Sequence, residues 1–326
     1  MKQSKRLFRS AWCRKHWLAV ILVCLLPTAL WAQDNLPSQA VPDRHSVPIY
    51  PSREIRELMR FVAVSNPMPE TFRDTLDNVI TDPVGSLYPF WQKMSRMDRP
   101  LRIVHIGDSH VRGHLFPYVM RRCLEDDFGK DAVEDIPVDY RTSGLARETG
   151  KNGIVYHMLG VNGATCASFA TPERLDEVIA LHPDLIILSF GTNEAHGWRY
   201  VASEHEAALD RVITQLKESC PGGHFLLTTP PGAYVRNGRR GKRIPNPRTE
   251  KVVDTELRYA REHGLAIWDL YDTVGGTQQA CRNWDNAGMF QRDKIHFTRE
   301  GYILQGLLLH EAFIKAYNQY VATGLE

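Results

Sequence analysis

From Leu101 onward the chain repeats one pattern: a short apolar run, a turn, then a stretch with helical spacing. The runs Leu101–Ile106, Ile154–Leu159, Leu185–Phe190, Phe225–Thr229 and Leu265–Leu270 have the length of strands, not of helices. Between them, Leu115–Phe128, Pro172–Leu181, 202–219 and 249–262 carry helical periodicity, and a long amphipathic helix, about Arg299–Tyr320, follows the last turn. Leu185–Phe190 is apolar almost throughout, as expected of a strand covered on both faces. Strands that alternate with helices in this way specify an α/β layer structure around a parallel sheet. In such sheets ligands gather beyond the carboxyl ends of the strands.

Upstream the pattern differs. Residues 54–64 and 85–97 have helical spacing, with Leu87, Phe90, Trp91 and Met94 on one face, so 54–100 reads as a helical preface to a domain at 101–326. Residues 33–53 hold Pro37, Pro42, Pro48 and Pro51 among polar neighbours, the composition of an extended linker. Residues 1–32 read as an export signal. Lys2, Lys5, Arg6, Arg9, Arg14 and Lys15 precede the apolar stretch Trp17–Leu30, and the small residues Ala29 and Ala32 end it. That stretch is shorter than the roughly 20 residues that span a bilayer.

The leader also decides what the charge means. The whole chain carries 40 Lys and Arg against 38 Asp and Glu. With the leader set aside the acids outnumber the bases, so the basic balance gives no argument for nucleic-acid binding. A mean hydropathy of −0.33 excludes a polytopic membrane protein. Four cysteines lie beyond the leader, Cys123, Cys166, Cys220 and Cys281. An exported compartment permits them to pair, sequence cannot choose among the pairings, and buried thiols are the other reading. No cysteine or histidine spacing suggests a metal site.

Four short blocks carry chemistry. Gly107-Asp108-Ser109-His110 ends the first strand, which puts Ser109 near a helix N-terminus, where backbone N–H groups can hold a developing negative charge. Asp293-x-x-His296 precedes the last helix. At that spacing the carboxylate can hold one imidazole nitrogen while the other takes a proton from a serine. Asn193, in Gly191-Thr192-Asn193-Glu194, follows the third strand and could aim an amide N–H at a reacting oxygen. Asn162-Gly163-Ala164 follows the second, where glycine lets a backbone N–H approach a ligand. Taken singly, each block has a structural reading as a cap, a surface pair or a turn.

Taken together and in this order, the four blocks resemble the SGNH (GDSL-type) hydrolase superfamily. The resemblance spans about residues 101–320. It implies a three-layer α/β/α sandwich, flavodoxin-like, with a five-stranded parallel sheet. It implies Ser109 as nucleophile, His296 as general base and Asp293 as its orienting carboxylate, with an oxyanion hole from the Ser109 and Gly163 N–H groups and the Asn193 amide. It implies no metal and no organic cofactor. The sequences GDSHVRG, NGA and FGTNEA look like the peptidoglycan O-acetylesterase branch, exported enzymes that deacetylate the C6 hydroxyl of N-acetylmuramic acid. Some of those enzymes carry a β-rich carbohydrate-binding module between the first blocks; the stretch between Ser109 and Gly163 is too short for one.

Around these blocks, Asp108, His110, Glu194, His196 and Trp198 are candidates for supporting the site or touching substrate. His110 reads as support for the turn, and Glu194 as a hydrogen-bonding clamp on the Ser109 loop. His196, Trp198 and Tyr200 could stack on a sugar or pack in the core. Residues 230–248 carry Arg236, Arg239, Arg240, Lys242, Arg243 and Arg248 with no acid, either a solvated loop or a lid that draws an anionic polymer. The expected protein is an exported esterase acting on an acetylated envelope glycan, with no nucleic-acid partner and no membrane span once the leader is gone. An acetyltransferase with the same triad, a lysophospholipase-type lipid esterase and a non-catalytic glycan-binding protein remain open as alternatives.

Overall fold

The computed structural model describes residues 62–134, 144–238 and 241–323. The expected leader, the linker and most of the helix expected at 54–64 lie outside them. The described residues all fall within one compact unit.

Five strands form the parallel sheet: β2 (Pro100–Gly107), β3 (Gly153–Gly160), β4 (Leu185–Ser189), β5 (His224–Thr228) and β8 (Ala266–Trp268). A sixth strand, β1 (Ile80–Thr81), adds to the edge antiparallel to β8, so the order is β1-β8-β5-β4-β2-β3. The expected five parallel strands are present, and the sheet has six strands because an upstream segment joins it. β6 (Tyr234–Arg236) and β7 (Arg243–Pro245) make a separate antiparallel hairpin.

The period of two along each strand divides the core into two layers. On β4, Leu185 and Ile187 face one cluster, while Ile186 and Leu188 face the other. The first layer is covered by α1 (Tyr88–Arg96), α3 (Leu115–Phe128) and α11 (Arg299–Thr323). The second is covered by α4 (Cys166–Phe169), α5 (Pro172–Ile179), α7 (Ala202–Ser219) and α8 (Pro247–Glu262). This is the three-layer α/β/α sandwich. β4, central and with every residue buried, reads as continuous apolar sequence because neither face meets water.

Three expectations change. The preface is not helical throughout: among its described residues α1 is the only helix, with Phe90, Trp91 and Met94 turned inward. Residues 62–87 run as an extended strap, because Pro67, Pro69 and Pro83 interrupt helical hydrogen bonding and side chains of the main fold replace it. Asn318 bonds both the N–H and the C=O of Val62, and Asn283 does the same for Arg73. The closing helix α11 is not simply amphipathic; residues at every phase, from Tyr302 through Gln305, Leu308 and Glu311 to Ile314, are buried. It is enclosed by the sheet, α1, α3 and the strap. The last strand stops at Trp268, and Leu270–Thr273 forms the helical turn α9 capped by Asp269, ahead of α10 (Gln279–Asn286).

Cys166, Cys220 and Cys281 are buried thiols. Among the described residues no helix is long and apolar enough to cross a membrane.

Candidate active site

β2 and β4 are neighbours, while the chain leaves β2 for β3 on the other side, so the crevice beyond their carboxyl ends is where a ligand would be expected. β2 ends at Gly107, and Asp108 then caps a helical turn, α2 (Ser109–Arg112), by accepting from the His110 N–H at 2.8 Å. Ser109 is the first residue of that turn. The turn lies across the end of β3: a Cβ on Gly160 would come within 2.1 Å of the Arg112 nitrogen. Only glycine there permits the approach.

Ser109 Oγ lies 2.9 Å from His296 Nε2, and His296 Nδ1 lies 2.7 Å from Asp293 Oδ2. The neutral tautomer with its proton on Nδ1 donates to Asp293 and leaves the Nε2 lone pair facing the serine hydroxyl. The two residues sit on a tight turn with Lys294 at φ 60°, not on a helix. Asp293 Oδ1 holds that turn by accepting from the N–H of Ile295 at 2.9 Å and of His296 at 3.0 Å. Burial alone would raise the Asp293 carboxyl, but these N–H donors and the imidazole hold it below its usual value. It therefore stays ionised, as an imidazole-orienting group must.

Among the described residues, no protein acceptor takes the backbone N–H of Ser109 or of Gly163. Gly163 has φ +73°, and its surroundings are open. Asn193 is the second residue of the turn α6 (Thr192–His196) after β4, and its amide is placed differently from a poised oxyanion donor. Its Nδ2 donates to Asp108 Oδ2 at 3.1 Å and to the Ala164 carbonyl at 2.9 Å. That amide ties together the turns after β2, β3 and β4, and it must release one bond to reach an oxyanion. Asp108 is buried, and burial together with the charge of Glu194 pushes its carboxyl up to about 8.

The supporting residues sort differently from their sequence reading. Glu194 does not clamp the Ser109 loop; it accepts from Cys166 N–H at 2.6 Å and from Gly191 N–H at 2.9 Å, joining the β3 and β4 turns. Burial raises its carboxyl. His110 lies behind the site, with Nδ1 3.0 Å from the Tyr302 hydroxyl and its ring 5.5 Å from that of His296. Burial, with the His296 charge next, lowers His110 to about 3, so it packs there as neutral imidazole. His196 Nδ1 faces the Thr192 carbonyl at 2.8 Å and its Nε2 faces that of Tyr234 at 3.3 Å, which places it between α6 and the hairpin. Tyr200 turns inward to His205 at 3.1 Å, and Trp198 is 97% exposed.

Ser109 and His296 open into a cleft of about 550 Å³. Its walls include Arg112, Leu115, Gln291, Phe297, Arg299 and Tyr302, none of them singled out as site residues by the motif blocks. Arg112 stands inside the first quoted block, three residues after the serine, and Phe297 and Arg299 adjoin the Asp293–His296 block. Proximity in sequence was the available signal. The basic segment 230–248 holds the hairpin β6–β7, with 239 and 240 outside the described residues. It is stitched to the catalytic turn: Tyr234 N–H donates to the Lys294 carbonyl at 2.9 Å, and the Arg243 guanidinium to that of Arg292. Among the described residues, no group of three or more His, Cys, Asp or Glu is placed to hold a metal.

A parallel sheet with a serine turn after its first parallel strand, and an Asp-x-x-His turn before its last helix, defines the SGNH class of α/β hydrolases, enzymes of carboxylic ester cleavage. The chain belongs to the GDSL-like lipase/acylhydrolase family, whose pattern matches residues 106–304. Among solved structures it is similar to a peptidoglycan O-acetylesterase, with a TM-score of 0.63 and 18% identity over 74% of this chain and 99% of that one. It is also similar to a lipase/acylhydrolase from Enterococcus faecalis, with a TM-score of 0.47 and 22% identity over 66% of this chain and 96% of that one. No sequence among curated proteins matches this chain.

Proposed function

We propose that the protein is an exported serine esterase that removes O-acetyl groups from a cell-envelope glycan, with peptidoglycan as the substrate. The observation that carries this reading is the relay from Ser109 Oγ through His296 to Asp293, with both links within hydrogen-bonding distance at the mouth of the cleft. His296 takes the Ser109 proton as the oxygen attacks the acetyl carbonyl. The N–H groups of Ser109 and Gly163, joined by the Asn193 amide, hold the oxyanion. His296 then protonates the departing sugar oxygen, which leaves as the free hydroxyl, and deprotonates the water that releases acetate.

Water has access: the side chains of His296 and Asp293 are 35% and 43% exposed, which favours hydrolysis over transfer to a second sugar. The substrate is supported by the likeness in fold to a peptidoglycan O-acetylesterase and by the block GDSHVRG. Export is supported by the basic and apolar leader, which an acetylated wall polymer requires.

The test is acetate release from O-acetylated peptidoglycan by the wild type beside Ser109→Ala, with short- and long-chain aryl esters in parallel. The expected result is release from the polymer that disappears in the variant, with short acyl chains preferred. Ser109-dependent cleavage of aryl esters without release from the polymer discards the substrate and keeps the mechanism. Release that survives in Ser109→Ala discards the mechanism.

A further inference from the structure

The cleft beside Ser109 has an uneven charge. Among the described residues that line it, Arg112 and Arg299 carry the formal charges and none is a carboxylate. An acetyl group needs neither of them, because its acyl portion is a methyl. An anion that meets these arginines in the cleft would therefore lie on the alcohol side of the ester.

Arg112 is built into the site with care. Its N–H donates to the Asp108 carbonyl at 2.9 Å, and glycine at 160 lets its backbone lie against β3. Its guanidinium Nη1 is 3.2 Å from His114 Nε2. His114 is buried, and burial together with the charge of Arg112 lowers its imidazole below the usual value. A neutral imidazole accepts one guanidinium hydrogen bond and orients the group without cancelling its charge. A carboxylate in that place would satisfy the arginine and close it to an anionic ligand. Arg299 is the first residue of α11, two residues after Phe297, and also lines the cleft. A planar fork of N–H donors matches a carboxylate in two-point contact, which a lysine does not reproduce.

We infer that Arg112 and Arg299 form a subsite for a carboxylate on the alcohol side of the ester, so that Ser109 works fastest on an acetylated sugar that is itself an acid. The inference rests on the esterase reading above and names the substrate feature that reading leaves open. Muramic acid residues offer that chemistry from two sources. One is the lactyl carboxylate of a glycan without peptide; the other is a carboxylate of the attached peptide. The first would place the enzyme after an amide-cleaving reaction that strips the peptide.

The experiment compares three substrates acetylated at the same C6 hydroxyl. They are N-acetylmuramic acid with a free lactyl carboxylate, its lactyl carboxamide, and N-acetylmuramoyl-L-alanyl-D-glutamate. The readout is the ratio of kcat/KM for each acid to that for the carboxamide, so the folded fraction of each preparation cancels. The wild type is expected to favour an acid by about 10-fold or more at low salt. High salt narrows the ratio. Arg112→Gln and Arg299→Gln each bring it towards unity, and Arg112→Lys restores it only in part. A preference for the free lactyl acid identifies peptide-free glycan as the substrate, and a preference for the peptide acid identifies peptide-bearing glycan. Equal rates on acid and amide in the wild type, or a ratio untouched by Arg112→Gln, overturn the subsite while leaving a Ser109-dependent esterase in place. Absence of Ser109-dependent release from these substrates and from aryl acetates alike overturns the esterase reading, and the subsite with it.

Discussion

Asp293 differs from the buried carboxylate of a deeply sunk triad, since 43% of its side chain is exposed. Water already screens part of its interaction with an imidazolium. Replacing a buried triad carboxylate by its amide costs about 10⁴ in kcat, chiefly through the wrong imidazole tautomer. Here solvent can also support His296 Nδ1, so Asp293→Asn is expected to lower kcat by a smaller factor, about 10²–10³. Steady-state kinetics on an aryl acetate check this; a change below 10-fold would falsify the orienting role. At the same scale, the motif blocks made Ser109, His296 and Asp293 legible, because a proton relay leaves little freedom in residue type or order. The Asn193 amide was not legible in that way. Its two acceptors are Asp108 Oδ2 and a backbone carbonyl from a different turn, and no local pattern records that meeting. The partners of Glu194 are hidden from local sequence for the same reason. Adjacency to Asn193 suggested a clamp on the serine turn, and the fold gave it the N–H groups of Cys166 and Gly191.

Elements follow sequence wherever they are long enough for periodicity to accumulate. The helices Leu115–Phe128 and Ala202–Ser219 have their expected bounds, and the strands differ by a residue or two at their ends, apart from the shortened last one. Turns of four or five residues, such as α2, α4 and α6, are shorter than a hydrophobic period and left no such trace. Those turns carry the site, and the helices behind them press a buried acid against it. Glu256 on α8 is 3% exposed, with Oε1 3.7 Å from His205 Nε2 on α7 and Oε2 without a partner. Glu194, Asp108 and Asp269 add negative charge around it, and burial first and those charges next raise its carboxyl well above the ordinary value of 4.5. The folded state therefore keeps Glu256 protonated where the unfolded chain has lost the proton. Stability is retained below the ordinary value and falls as pH rises above it. Glu256→Gln removes that loss while keeping the shape. Its melting temperature is expected to match the wild type near pH 4 and to exceed it by a few degrees near pH 8, about 1–2 kcal/mol. Thermal melts across that range decide it; a gain that is constant or that shrinks with rising pH contradicts a protonated buried acid.

At the scale of the molecule, one upstream residue joins three parts that sequence reading kept separate. Helical spacing at 54–64 and at 85–97 reads as a helical preface over 54–100, whereas the strap before α1 is ordered by partners more than 200 residues away. No local pattern could have shown this. Asn78 is buried at its centre. Its Nδ2 donates to the Leu308 carbonyl and to Glu311 Oε2, both at 2.7 Å, and its Oδ1 accepts from Trp268 Nε1 at 2.8 Å. The side chain thereby fastens the strap to α11 and to the end of β8, next to the edge that β1 covers. Asn78→Ala leaves the buried Trp268 N–H and Glu311 oxygen short of a partner, and each orphan costs about 1–3 kcal/mol. The expected loss is about 2–4 kcal/mol, or about 5–15 °C in melting temperature for a chain of this size. Because none of these partners is Ser109, His296 or Asp293, aryl-ester turnover well below the melting temperature should stay within about twofold of the wild type, given that distant sites act independently. A variant that melts with the wild type would mean that the strap lies on the fold without holding it. A variant that melts early and also loses turnover while still folded would mean that the strap and the catalytic turns are coupled through α11.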